Sequence, residues 1–165
     1  MAVANLTTQL LDKHVTTGRG KQPALVFADS EETFSYAELQ EQVNRFGNSL
    51  LKLGAAPADR VLLIAYDCPS TIIALLGTMK IGCVAVISST QLSQEQDFRY
   101  ILADSKPTFL VLSAKLANSL LGNEKPAVSK KIIIVGDSLD QIKIEEGLVK
   151  EMILFSSLVD PAVSN

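Results

Sequence analysis

Apolar residues along this chain fall into two alternating rhythms. Short, nearly unbroken apolar runs occupy residues 61–65, 84–87, 108–112 and 132–135. Between them lie longer stretches whose apolar positions recur three or four residues apart. The clearest of these spans residues 36–53, where Tyr36, Leu39, Val43, Phe46, Leu50 and Leu53 make one helical stripe. Ser35 and Glu38 form a capping box ahead of it, and Gly54 closes it in a left-handed conformation. The continuous runs suit strands covered on both faces. Strands alternating with helices of this length need crossover connections, which predicts a mostly parallel, flavodoxin-like α/β sheet with right-handed crossovers.

The remaining signals fill in this frame. Asn5 caps an N-terminal helix with Leu6, Leu10, Leu11 and Val15 at helical spacing, and Gly18, Arg19, Gly20 and Lys21 end it. Residues 23–28 read as a strand, 29–32 as a turn, and Thr33 and Phe34 as the return of a small hairpin. Ser70 caps a helix that runs through Met79 and ends at Gly82. Ser93 and Gln96 make a second capping box for a helix reaching about Asp104, and residues 114–121 form a short helix. Past Gly136 and Asp137 the pattern weakens. This divides the chain into an α/β subdomain, residues 1–137, and a weakly patterned tail, residues 138–165. The tail is either partly ordered or pairs with structure absent from this chain.

Composition narrows the function classes. The chain has 165 residues, enough for one domain or one subdomain with its own core. It is 47% hydrophobic with a net charge of −3, and no Lys/Arg cluster marks a nucleic-acid surface. The longest charge-free apolar run, residues 68–79, is too short to span a bilayer. The first ten residues lack the basic-then-apolar order of a signal peptide, so the cytoplasm is the expected location. Cys68 and Cys83 show no metal-binding spacing. Cys83 reads as a small core residue, Cys68 as part of a turn before Pro69, and His14 as a surface residue.

No self-contained catalytic set emerges from the residues. Both G-x-x-x-x-G-K-[ST] and G-x-G-x-x-G are absent. Gly18 to Lys21 follow a helix rather than open one, so their amides would not face a phosphate. Gly136 and Asp137 follow a strand, at the end where ligands of open α/β sheets gather, and also suit a plain turn. Glu31, Glu32, Glu145 and Glu146 fall in turns or exposed faces, and Asp97 and Asp104 lie on a polar helix, so no carboxylate pair is set up for acid–base work. Ser88, Ser89 and Thr90 close a strand, where a hydroxyl would face a ligand crevice. No catalytic, cofactor-binding or metal residue is assigned.

Several segments nevertheless resemble the adenylate-forming superfamily of acyl and aryl ligases. FSYAEL (residues 34–39) is similar to its first core motif. ADRVLLIAYDCP (58–69) is similar to its Asp-Arg-Val strand and turn, and GTMKIGCVAVISST (77–90) to its Lys-x-Gly turn and following strand. QLSQEQDFRYILADSKPTFLVLS (91–113) continues in register, and NLTTQLLDKHVTTGRGKQPALVF (5–27) resembles the benzoate-CoA ligase branch. The resemblance covers roughly residues 5–137. It departs from the family at Ala85 and Ile87, where relatives often carry proline.

The resemblance implies an N-terminal subdomain of an enzyme that activates a carboxylate with ATP and passes the acyl group to a thiol. ATP, Mg and coenzyme A, or a carrier phosphopantetheine, belong by that resemblance to the complete enzyme, and none is expected in the isolated chain. The family's phosphate loop, ribose-binding Asp and catalytic Lys have no matching positions here. Arg99 lies where some relatives approach a coenzyme A phosphate, and also suits a surface ion pair. The expected partner is the remainder of the ligase polypeptide or a partner subunit. Two other readings stay open: an interaction module or half of a split ligase in an acyl-carrier assembly, and an unrelated flavodoxin-like nucleotide or flavin binder.

Overall fold

The apolar runs become the strands of one parallel sheet. In the computed structural model the described residues are 5–28, 32–91, 95–121, 126, 130–136, 142 and 152–160. Among them β1 (Pro23–Val26) and β2 (Thr33–Ser35) form a small antiparallel hairpin. The main strands are β3 (Arg60–Ile64), β4 (Val84–Ile87), β5 (Phe109–Ser113), β6 (Lys131–Val135) and β7 (Met152–Leu154). They lie in the order β4–β3–β5–β6–β7, every pair parallel. The helices are α1 (Tyr36–Lys52), α2 (Pro69–Lys80), α3 (Glu95–Ser105), α4 (Ala114–Leu120) and α5 (Phe155–Val159).

Side chains alternate across the sheet, which gives two apolar layers. Val61, Leu63, Phe109, Val111, Ile133 and Val135 face α1, α2 and α5. Leu62, Ile64, Leu110, Leu112, Ile132 and Ile134 face α3 and α4. Continuous apolar runs are therefore required, because both faces of each central strand are dry. The chain travels one way along the sheet from β3 to β4 with α2 on the first face. It travels the other way from β5 to β6 with α4 on the second face. Reversing both direction and face preserves a single crossover hand.

Helix α1 forms as its sequence dictates. The Glu38 N–H donates to Ser35 Oγ at 3.3 Å, and the Ser35 N–H donates to Glu38 Oε2 at 2.8 Å, which completes the capping box. Leu39, Val43, Phe46 and Leu50 are buried, and Gly54 ends the helix at φ +87°. Where α1 meets α2, both helices carry glycine. A Cβ on Gly77 would sit 2.9 Å from Phe46 Cδ1 and 3.0 Å from the Val43 carbonyl. A Cβ on Gly47 would sit 2.9 Å from Ile81 Cγ2. The two backbones approach as closely as they do because neither position has a side chain.

Helix α2 begins two residues earlier than its sequence suggests. Cys68, not Ser70, is the N-cap, and Pro69 takes the first helical position. Proline loses nothing there, since that N–H has no intrahelical partner. Cys83 is buried just ahead of β4, as expected of a core residue. The second capping box cannot be placed, because Ser93 lies outside the described residues.

The N-terminal helix differs from its predicted stripe. Asn5 Oδ1 does accept from the Thr7 N–H at 2.9 Å. The turns at Thr8–Asp12 and Val15–Arg19 are widened to π geometry. Widening takes side chains off the 3.6-residue period. Leu11 is buried, while Leu6 and Leu10 are exposed. Buried Thr7 instead faces inward and donates from Oγ1 to the Leu76 carbonyl at 3.0 Å. Asn5 Nδ2 donates to the Met79 and Lys80 carbonyls at 3.0 and 2.9 Å. The bond to Lys80 gives a partner to a carbonyl that the end of α2 leaves open, and the others add a second donor. Asp12 completes the tie, accepting from Lys80 Nζ and Gln40 Nε2, both at 2.6 Å.

Residues 152–160 lie within the segment set apart by its weak pattern. There, β7 extends the sheet beside β6, and α5 returns to α1. Phe155 stacks on Phe46 with ring centroids 5.2 Å apart. Ser49 Oγ donates to the Leu158 carbonyl at 2.7 Å, and Arg45 Nη1 to the Val159 carbonyl at 3.0 Å. A three-residue strand and a five-residue helix are too short to show a period.

Three outcomes are expected in urea unfolding. Phe46→Ala should cost roughly 3–5 kcal/mol, as for a large core truncation. Gly77→Ala should cost about 1–3 kcal/mol through overpacking against α1. The third concerns acid. Burial pushes the Asp12 carboxyl up, but Lys80 and Gln40 outweigh this and hold its pKa below the ordinary value of 3.8. That tie therefore stabilises the fold above the ordinary carboxylate range and is lost as pH falls through the lowered value. Unfolding midpoints measured down that range should fall less for Asp12→Asn than for the parent chain.

Candidate functional site

The strand order fixes where a ligand crevice can form. From β3 the chain steps to β4 on one side, and β5 then lies on the other side of β3. The connections leaving β3 and β5 thus diverge, and open α/β sheets bind ligands at such a switch point, beyond the strand carboxyl ends. A crevice of about 600 Å³ lies there. Its walls include Tyr66 and Cys68 after β3, Ser113 and Lys115 at β5 and α4, Gly136 after β6, and Ser156 in α5. The volume lies within the usual range of small-molecule sites.

Its floor is held by hydrogen bonds between loops. The Tyr66 N–H donates to Ser113 Oγ at 2.9 Å, joining the β3 and β5 loops across the switch point. Ser113 is buried and starts α4, yet its hydroxyl serves the neighbouring loop rather than its own helix. Thr71 Oγ1 donates to the Tyr66 carbonyl at 2.8 Å and lies 3.3 Å from Cys68 Sγ. With the threonine proton committed, the thiol is the donor in that contact. A Cβ on Gly136 would meet Ala114 Cβ at 2.8 Å, so the wall between β6 and α4 requires glycine.

The crevice mixes polar and apolar surface. Among its described lining residues Lys115 is the only charged side chain, and none is a histidine or a carboxylate. Its described lining has hydroxyls to orient a ligand and no general base. Among the described residues no group of three or more His, Cys, Asp or Glu side chains could hold a metal ion.

The other chemically distinctive groups lie at the opposite end of the sheet or away from the crevice. Cys83 donates from Sγ to the Ala56 carbonyl at 3.3 Å. Burial, with nearby Asp59, pushes its thiol up, which makes it unreactive. The Ala56 N–H bonds Asp59 Oδ2 at 2.9 Å and is the main cause holding that carboxyl below its ordinary value. Lys130 bonds the Gly54 carbonyl and lies 5.8 Å from the centroid of Phe109. His14, expected at the surface, is half-buried, with its ring 4.4 Å from that of Tyr36. Partial burial, then Arg19 and Lys13, lower its pKa.

Of the residues weighed from sequence, Gly136 and Cys68 reach the crevice. Ser88, Ser89 and Thr90 are not in its lining. Glu32, Asp97, Asp104 and Arg99 are exposed, while Asp137, Glu31, Glu145 and Glu146 lie outside the described residues. Tyr66, Ser113, Lys115 and Ser156 were not singled out. Tyr66, Ser113 and Ser156 each follow an apolar run directly and Lys115 comes two residues after Ser113, which is a usable signal only once strand order is known.

Comparison with known proteins agrees with this architecture. Residues 11–158 match the family model described as AMP-binding enzyme. The 3-hydroxybenzoate–CoA/4-hydroxybenzoate–CoA ligase of Thauera aromatica is 34% identical over 67% of this chain and 21% of its own length. The 4-hydroxybenzoate–CoA/benzoate–CoA ligase of Rhodopseudomonas palustris is 30% identical over 81% of this chain and 24% of its own length. The chain thus spans about a fifth to a quarter of the length of these curated relatives. Among solved structures, an anthranilate CoA ligase in complex with anthranoyl-AMP superposes with a TM-score of 0.75 at 22% identity, covering 94% of this chain and 28% of that one. A benzoate CoA ligase from Burkholderia xenovorans LB400 superposes with a TM-score of 0.70 at 24% identity, covering 90% and 28%. The parallel sheet flanked by helices is the architecture of the N-terminal part of such ligases.

Ser113→Ala should remove the partner of the part-buried Tyr66 N–H and cost roughly 0.5–1.5 kcal/mol. Urea midpoints of the variant and the parent chain measure this directly.

Proposed function

The chain belongs to the family of AMP-binding enzymes, and we propose that it forms the N-terminal α/β subdomain of an ATP-dependent aryl-CoA ligase. In this reading it supplies scaffold and part of a crevice wall, and the rest of the ligase supplies the reacting groups. The observation that carries the reading is the family match over residues 11–158 combined with a crevice whose described lining has orienting groups and no acid–base pair.

The whole reaction would activate an aromatic carboxylate with ATP as an acyl-adenylate and then form a thioester on coenzyme A. Benzoate and hydroxybenzoates are the acids named for the relatives. The described lining does not fit ATP with Mg by itself. It offers one lysine to three phosphates and no carboxylate to hold the metal. Nucleotide and metal therefore require residues beyond those seen here, and no step of the reaction is assigned to this chain's side chains. The partner is the remainder of the ligase, as one polypeptide or a second subunit, and the location is the cytoplasm. No helix among the described residues is long and apolar enough to cross a membrane.

The test compares the chain alone with a fusion that places it ahead of the remaining residues of the Rhodopseudomonas palustris ligase. Both are given ATP, Mg²⁺, 4-hydroxybenzoate and coenzyme A, and pyrophosphate and thioester are measured. The chain alone should release no pyrophosphate, and the fusion should make thioester. Pyrophosphate from the chain alone would refute the scaffold reading. A cooperatively folded fusion that makes no thioester would refute the ligase reading.

A further inference from the structure

His14 is the chain's only histidine, and it stands apart from the crevice. It lies between the two widened turns of the N-terminal segment, half-buried, with its ring 4.4 Å from that of Tyr36, the first residue of α1. Its Nδ1 is buried and has no hydrogen-bond partner among the described residues. A neutral imidazole can leave that nitrogen unprotonated. An imidazolium donates from both nitrogens, so it would bury an N–H without an acceptor. The charges that act on the ring are of one sign. Lys13 and Arg19 lie on its own segment. The first turn of α1 lies beside it, and the positive end of a helix dipole disfavours cations. The carboxylates of the same elements are committed elsewhere. Asp12 accepts from Lys80 and Gln40, Glu38 accepts from Ser35, and Glu41 pairs with Arg45.

We propose that His14 is a proton-operated latch: neutral, it holds residues 13–22 against the first turn of α1, and protonated, it releases them. The docked segment has contacts to give up. The Tyr36 N–H donates to the Gln22 carbonyl at 3.0 Å, and the Ala37 N–H to the Gly20 carbonyl at 2.9 Å. These are opening amides of α1, which have no partner inside the helix. The residues ahead of the segment stay docked. Asn5 and Thr7 hold α2 through groups that do not titrate. Burial works against the Asp12 charge, but Lys80 and Gln40 prevail and keep that carboxyl ionised throughout the histidine range. The direction with pH follows from the docked form. Burial first, then Arg19 and Lys13, hold the docked His14 below its ordinary value of 6.5. Released, the ring returns to that value. Above 6.5 both forms are neutral and opening does not change with pH. As pH falls through that value the released form takes its proton first, and opening grows until pH passes the lowered value of the docked form. The inference does not rest on the ligase reading.

The test follows the full, isotope-labelled chain by NMR from about pH 8 to about pH 5, with amide exchange read by residue. With one histidine in the chain, the imidazole signals belong to His14. They should titrate with a midpoint below 6.5. Over the same range the protection factors of the Tyr36 and Ala37 amides should fall several-fold. Those of Thr7 and Gln9, which are bonded to Asn5, and those of β3 and β5 should hold. His14→Gln, neutral across this range, should keep Tyr36 and Ala37 protected throughout. His14→Arg, cationic across it, should leave them weakly protected already at the alkaline end. If the arginine variant does not fold, His14→Gln decides the matter. Unchanged protection at Tyr36 and Ala37 overturns the proposal, as does a midpoint at or above 6.5. A loss of protection that persists in His14→Gln overturns it too. So does a loss that reaches Thr7 and the sheet together, which is unfolding of the whole chain rather than release of a segment.

Discussion

The arrangement depends on how closely α1 and α2 approach. Gly47 and Gly77 face each other, and a methyl group on either would collide with a neighbouring side chain or carbonyl. This contact lets two helices share one face of a narrow sheet. It also sets the depth of Phe46, which packs over Gly77 and against Phe155. Interiors packed at crystal-like density transmit such a constraint rather than absorb it. The position of α2 then fixes the loop after β3, and with it one wall of the crevice.

Polar ties complete what apolar packing leaves loose. Helix ends expose carbonyls that water or side chains must satisfy. Here they are met from far along the chain: Asn5 reaches the end of α2, Arg45 and Ser49 reach α5, and Lys130 reaches the turn after α1. Burial alone would let these elements slide, because apolar contact is not directional. Each tie specifies a register between two elements. The Tyr66–Ser113 bond has the same role at the switch point, where it joins two loops that belong to different crossovers.

Much of this was legible in the sequence, for identifiable reasons. The capping box at Ser35 and Glu38, the stripe from Leu39 to Leu50 and the left-handed glycines Gly54 and Gly82 are local signals, and each lies where the pattern put it. The parallel sheet followed from continuous apolar runs separated by helices. The N-terminal helix was misread because π turns abandon the period on which stripe analysis depends. The strand and helix at residues 152–159 were missed because they are stabilised by partners, not by pattern. The crevice escaped for a related reason. Tyr66, Ser113 and Ser156 come from distant parts of the chain, and only the non-local order of strands brings them together.

The seat of α5 on α1 has a kinetic side. Ser49 and the Leu158 carbonyl it binds are 109 residues apart. Closing so long a loop is entropically slow, and contacts of this range form late in folding. On a ribosome, α1 is made early, and its stripe is complete before β5, β6 and β7 exist to cover it. The aromatic face of Phe46 must then wait, while every strand from β3 to β7 is synthesised, for the ring that finally stacks on it. Until then such a nascent chain carries an incompletely covered apolar helix, the kind of surface that chaperones bind.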